Sequence, residues 1–257
     1  MKYGISARQP KDILKKADEI IIDYKDIDYL FDLIELFPDK KYILKLPYGK
    51  DINWTTIDNF NKLCSLEVAL MSLNDINRCK EHNIKFFWGY EIISYYDLKR
   101  LVDLGVSQVL LGNELYFDVK NIKEHFNIPI RLIANKCFDS YLPAEEGVCG
   151  TYVRPEDIDT YGKYVDTIEF YYKDLQQEKV LFKIYAEDKK WPGNLNLILA
   201  NLNVDIDNRG LPDEFGSVRM ICQQKCMKGR RCAFCYTAMK FARTVDFYRP
   251  KDFDVLN

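Results

Sequence analysis

The chain has 257 residues, 47% of them hydrophobic and 14% aromatic, enough to bury one large core or two small ones. Met1 to Gln9 is polar, the first apolar segment runs only from Ile20 to Ile22, and nothing approaches the roughly 20 apolar residues of a membrane span. A soluble, cytoplasmic protein without a membrane partner is therefore expected. The net charge of −2 by itself points to neither nucleic acid nor a lipid surface, but it is unevenly spread. Arg219 to Lys251 carries nine Lys or Arg against one Asp, a local excess that suits an anionic partner such as RNA or that offsets cysteine thiolates around a metal.

Taken in order, the apolar pattern alternates between short β-rich runs and stretches of helical spacing, the mark of βα units. The runs are Lys2 to Ser6, Glu19 to Asp23, Lys41 to Leu46, Leu66 to Met71, Ile84 to Glu91, Gln108 to Leu111, Ile128 to Ala134 and Thr167 to Tyr171. Eight such strands suit a (β/α)8 TIM-like barrel. A doubly wound open sheet has a similar pattern, and the barrel is the preferred of the two. Helix punctuation lies between the strands: Ser94 with Asp97 resembles a capping box, Gly105 sits at a C′ position, and Pro155 suits a first helical turn. The segments Lys80-Glu-His-Asn-Ile84 and Lys123-Glu-His-Phe-Asn-Ile128 repeat one unit, each placing a histidine, His82 or His125, at a helix end. There a cation complements the helix dipole, so histidine-based catalysis is not expected.

Lys173 to Trp191 has helical spacing, Pro192-Gly193 interrupts it, and Asn203 to Gly216 reads as a polar loop. The expected organisation is a barrel over residues 1–200 and a C-terminal cysteine-rich extension over residues 201–257. Chemistry in a barrel belongs at the C-terminal ends of strands. Asp23, Lys45, Glu91, Glu114, Asn135 and Glu169 fall there. Of these, Glu91, Glu114, Glu169 and Lys45 are the candidates for acid, base and anion clamp, although polar residues at strand ends also serve as caps. No Gly-x-Ser-x-Gly, phosphate-binding glycine loop or His-Glu-x-x-His is present, which argues against a serine hydrolase, a nucleotide hydrolase and a zinc protease.

The strongest motif is Cys222-x3-Cys226-x5-Cys232-x2-Cys235. Four soft thiolates this close suit one tetrahedral zinc or one iron–sulfur cluster, and the two stand level because the spacing matches neither the usual zinc ribbon nor the ferredoxin run. Lys225, Lys228, Arg230 and Arg231 lie between the ligands, where their charge favours thiolate. Aromatics from Phe234 to Tyr248 interleave with the basic residues of this tail, a combination that stacks on bases or packs the segment against the rest of the chain. Cys64 and Cys79 fall in helical patterns and read as packing residues.

The run Gln108-Val-Leu-Leu-Gly-Asn-Glu114-Leu115, then Asp118-Val-Lys-Asn-Ile, then Ile128-Pro-Ile-Arg-Leu-Ile-Ala-Asn-Lys-Cys137 resembles the collagenase-like peptidase family. That family comprises barrel proteins associated with iron–sulfur-dependent hydroxylation of RNA bases and quinone precursors. The resemblance extends over Lys2 to Tyr172. It implies that Cys137 helps to hold a cluster and that Cys149 is a second ligand. The family's further cysteines and basic Cys-Arg motif are replaced here by Gly150-Thr-Tyr-Val-Arg-Pro. The compact quartet is thus the preferred metal site, with Cys137 and Cys149 as core thiols, a second pair, or partners to two of its members. Two readings stay open: an iron–sulfur barrel enzyme acting on RNA or a small molecule, hydroxylase-like or peptidase-like, and a non-catalytic zinc-stapled binding protein.

Overall fold

In the computed structural model, the residues described are 1–136, 152–200, 202, 205–218 and 240. The chain divides into two compact units. The first comprises Met1–Gly112, His125–Leu132 and Asp166–Glu169, and the second Asn113–Glu124, Ile133–Val165 and Phe170–Asn257.

The strands are β1 (Lys2–Ser6), β2 (Glu19–Asp23), β3 (Lys41–Lys45), β4 (Ser65–Leu70), β5 (Lys85–Trp88), β6 (Val109–Leu110), β7 (Ile130–Ile133) and β8 (Thr167–Glu169). They form one sheet in the order β5-β4-β3-β2-β1-β8-β7-β6, and the pairings whose register is defined are all parallel. Its two ends meet. Ser107 N–H donates to the Phe86 carbonyl at 2.8 Å, Ile92 N–H to the Leu110 carbonyl at 2.9 Å, and Gly112 N–H to the Ile92 carbonyl at 2.8 Å. A parallel eight-stranded sheet joined in this way is a (β/α)8 barrel of the TIM type, as the alternation of periods predicts. β1 and β2 coincide with their predicted spans. β5 is shorter than expected because the chain turns at Gly89, where an added Cβ would lie 2.8 Å from the Met71 sulfur and 3.0 Å from the Leu70 carbonyl.

Helices α1 (Lys11–Lys16), α2 (Leu30–Leu36), α3 (Trp54–Leu63), α4 (Ile76–Glu81), α5 (Tyr95–Asp103), α6 (Val119–Phe126), α7 (Ile158–Tyr161) and α8 (Leu175–Phe182) intervene along the chain. Local chemistry sets their ends. Ser94 caps α5, its Oγ accepting from Asp97 N–H at 3.1 Å and donating to the Asp97 carboxylate at 2.7 Å. Gly105 ends the helix with φ +86°. The repeated unit read from the sequence has a matching backbone: Asn83 and Asn127 adopt φ 52° and 47° beyond α4 and α6, the left-handed turn that Asn tolerates better than most side chains. His82 closes α4 and stacks on Trp54, and His125 lies in the last turn of α6. Pro155 opens the turn before α7.

Within the second unit, Arg154 is the organising residue. Its guanidinium is buried, chelates the Asp157 carboxylate at 2.7 and 2.8 Å, reaches Asn208 Oδ1 at 3.3 Å and lies over the Phe215 ring. Burial alone would depress its pKa, but the hydrogen bond and charge of Asp157 more than offset this and raise it. Gly216 N–H also donates to Asp157, and a Cβ at residue 216 would collide with that carboxylate. Residues 205–216, the described part of the expected polar loop Asn203 to Gly216, are thus pinned by buried Asp207, Asn208 and Phe215. Asp157→Ala strands a buried guanidinium and should cost about 3–5 kcal/mol. Urea unfolding measures that loss, and limited proteolysis of the variant should cut within residues 205–218.

Candidate functional site: an ionic chain through the barrel

Strand register decides what fills the barrel. Ile43, Ala69 and Phe87 cluster with Ile21, forming an apolar layer from consecutive strands. Around it the interior is charged, where barrels usually carry bulky aliphatic residues. Arg131, on β7, is fully buried. It pairs with Glu19 of β2 and, at 2.5 Å, with Glu169 of β8, and its guanidinium lies 5.2 Å from the Phe87 ring centroid. Glycine at residue 4 leaves the space, since a Cβ there would sit 3.2 Å from Arg131 Nη1 and 3.0 Å from Ile21 Cδ1.

From Arg131 the chain of charges runs both ways. Toward the C-terminal ends of the strands, Glu169 Oε2 accepts from Lys45 Nζ at 3.3 Å. Toward the N-terminal ends, Lys41 Nζ bridges Glu19 Oε1 at 3.2 Å and Glu67 Oε2 at 2.5 Å, and the Ser107 hydroxyl donates to Glu67. The carboxylates Glu19, Glu67 and Glu169 therefore balance Lys41, Lys45 and Arg131. The interior members are 0–7% exposed, whereas the terminal lysines are open to solvent, Lys45 at 38% and Lys41 at 27%. Burial would raise the Glu169 pKa, but Lys45 and Arg131 more than offset it and hold the carboxyl below the usual range. Arg131 itself would be weakened as a base by burial, and Glu169 and Glu19 reverse that shift.

Of the residues expected from the sequence, Lys45 and Glu169 come together. Glu91 is half-buried after β5, and Glu114 is exposed in the 3₁₀ turn Asn113–Asp118. Asn135, another strand-end candidate, is a backbone tie. Its amide donates to the Tyr171 carbonyl at 2.7 Å and the Ile198 carbonyl at 3.3 Å, and its oxygen accepts from Tyr171 N–H at 2.7 Å. Arg131, Glu19, Glu67 and Lys41 escaped the sequence reading. Their signal was present as isolated charges on otherwise apolar strands, as at both ends of Lys41-Tyr-Ile-Leu-Lys45. Tyr48 and Tyr90, in the loops after β3 and β5, expose 74% and 45% of their surface, and Tyr96, in the first turn of α5, exposes 77%, placing aromatic rings on the side where Lys45 emerges. A cavity of about 290 Å³ lined by Cys79, Lys80, Lys85 and Gly105 lies instead by helix-to-strand turns, at the end of the barrel that serves stability.

The metal candidates Cys222, Cys226, Cys232 and Cys235, together with Cys137 and Cys149, lie outside the described residues, as does the basic segment apart from Lys240. Among the described residues no group of three or more His, Cys, Asp or Glu is placed to hold a metal ion. The described thiols suit packing. Cys64 donates to the Phe60 carbonyl, Cys79 is fully buried, and burial pushes their pKa values up to about 11 and about 12. No described helix is long and apolar enough to cross a membrane.

No family model matches the chain, and no curated protein matches it. Among solved structures it is similar to thiamine phosphate pyrophosphorylase from Pyrococcus furiosus, with 14% identity, a TM-score of 0.32, and coverage of 72% of this chain and 95% of that one.

The Glu169 carboxylate yields a pH prediction. Because its pKa is lowered on folding, the stability it contributes is present above the unfolded value of about 4.3 and is lost as pH falls through the folded value. Glu169→Gln should cost about 3–5 kcal/mol at neutral pH, since Arg131 and Lys45 lose a partner. Urea midpoints recorded from pH 7 down to pH 3 should fall less steeply for the variant than for the wild type.

Proposed function

We propose that the chain is a cytoplasmic barrel enzyme with a thiolate-bound metal centre, an iron–sulfur cluster or zinc, that modifies RNA or a small anionic molecule at the barrel mouth. One observation carries the enzymatic part. Lys45 stands at the C-terminal end of β3, partly open to solvent, with its ammonium 3.3 Å from a buried carboxylate, Glu169. Barrel enzymes do their chemistry on that face. Lys45 serves there as an anion contact and proton donor, Glu169 keeps it oriented, and the tyrosines after β3 and β5 offer rings for a flat substrate to stack on.

The metal part rests on the chemistry of the donor set. Cys222, Cys226, Cys232 and Cys235 offer four soft ligands within fourteen residues, with Lys225, Lys228, Arg230 and Arg231 between them to compensate thiolate charge. This donor set fits zinc or an iron–sulfur cluster and fits hard cations poorly. An iron–sulfur cluster would supply electron transfer and zinc a structural staple. The resemblance of Gln108–Leu115 and Ile128–Cys137 to the collagenase-like peptidase family supports the iron–sulfur choice and RNA as substrate.

A second reading is favoured by the neutrality of the ionic chain. Glu169 spends both oxygens on Arg131 and Lys45, a complete arrangement without any substrate, as in a zinc-stapled binding protein that meets an anionic partner through Arg219–Lys251. Metal and sulfide analysis of anaerobically purified protein, with mass spectrometry of nucleosides from producing cells, separates the two. The enzyme reading predicts iron and sulfide together with an oxidised nucleoside, the metal lost in Cys232→Ser/Cys235→Ser and the nucleoside lost in Lys45→Ala. About one zinc per chain and an unchanged nucleoside profile would establish the second reading. A protein free of metal would overturn both.

A further inference from the structure

Glu19 is shared. One of its oxygens accepts from Arg131, and the other lies 3.2 Å from Lys41 Nζ. Arg131 is shared as well, between Glu19 and Glu169, and Glu169 is shared between Arg131 and Lys45. In a desolvated chain of this kind a charge removed at one end redistributes the pairing along the rest, because each ion has few alternative partners and little water to replace them. The two ends reach solvent through Lys41 and Lys45, at opposite ends of strand β3.

We propose that Lys41, at the N-terminal end of the barrel, is a positioning residue for the mouth: through Glu19, Arg131 and Glu169 it sets how firmly the Lys45 ammonium is held. With Lys41 present, Glu19 has its own cation, and Arg131 is left to serve Glu169. Without Lys41, Glu19 draws on Arg131, Glu169 leans on Lys45, and the Lys45 ammonium is held more firmly. Neutralising Glu67 does the opposite. It frees Lys41 from its 2.5 Å contact with Glu67, so that Lys41 serves Glu19 alone, Arg131 is left to Glu169 and Lys45 is loosened. The functional weight of this coupling rests on the reading of the mouth as an active site, but the coupling itself can be measured without a substrate.

The test is the rate at which Lys45 is acetylated by a water-soluble acetyl ester, followed by peptide mass spectrometry on the full chain, with folding checked by circular dichroism. Lys41→Met should slow Lys45 acetylation about threefold to tenfold, Lys41→Arg should restore it, and Glu67→Gln should speed it. Lys85→Met removes a cation from the same end of the barrel, beyond the chain of bonds, and should leave the rate unchanged. An unchanged rate in folded Lys41→Met, a shift of the same sign in Lys41→Met and Glu67→Gln, or equal slowing by Lys85→Met would overturn the proposal. Should Lys41→Met fail to fold, Glu67→Gln decides alone, since an unchanged or slower rate contradicts the relay. Metal content and nucleoside profiles do not enter this measurement, so failure of the coupling and failure of the proposed function are distinguishable.

Discussion

A guanidinium with no access to water must find its counter-charges inside the protein, and the barrel is arranged around that requirement. Arg131 lies between Glu19 and Glu169, which belong to strands far apart in sequence, so the pairing is satisfied only when β2, β7 and β8 are all in register. A charge this deeply buried is costly unless it is paired and hydrogen-bonded. Mispaired alternatives are therefore penalised more heavily than aliphatic packing alone would penalise them, which gives the network a role in selecting one arrangement as well as in holding it. Gly4 belongs to the same constraint, since a Cβ there would press on the guanidinium and on Ile21.

Consequences spread outward from this centre. Because Glu169 and Glu19 each need a second cation, Lys45 and Lys41 are drawn to the two ends of the interior, and the resulting chain leaves one lysine at each opening. The apolar layer of Ile43, Ala69 and Phe87 keeps water from the middle, which strengthens every pairing within it. The second unit repeats the principle on a smaller scale. There buried Arg154 gathers Asp157, Asn208 and Phe215, and polar residues again fix a segment alongside its buried Ile206 and Leu211.

Much of the barrel was legible in the sequence because period and punctuation are local signals. The β-rich run at Glu19 to Asp23, the cap at Ser94 and the turn at Gly105 each depend on neighbours within a few residues. The ionic chain was not legible because its partners come together only through strand order. Arg131 was visible merely as part of a resembling motif, and Glu19 and Lys41 looked like ordinary strand-start residues. Lys45 and Glu169, which the structure pairs, were selected by the rule that strand ends carry chemistry, and the same rule selected Asn135, which ties backbone segments together, and exposed Glu114. Polar residues at strand ends have several structural uses, and position alone does not separate them. The quartet from Cys222 to Cys235 rests on spacing and donor chemistry, which identify the kind of ion more readily than the ion itself.

The central claim is that Arg131, Glu19 and Glu169 act as one unit, and a comparison of unfolding free energies tests it most directly. Arg131→Met alone leaves two buried carboxylates facing one another, whereas Arg131→Met combined with Glu19→Gln and Glu169→Gln removes the whole set of charges. The account predicts that the single variant loses about 3–5 kcal/mol and that the triple variant regains most of this loss. A triple variant destabilised by the sum of the three single substitutions would show that the residues contribute independently, and the barrel would then owe its organisation to its apolar layer instead.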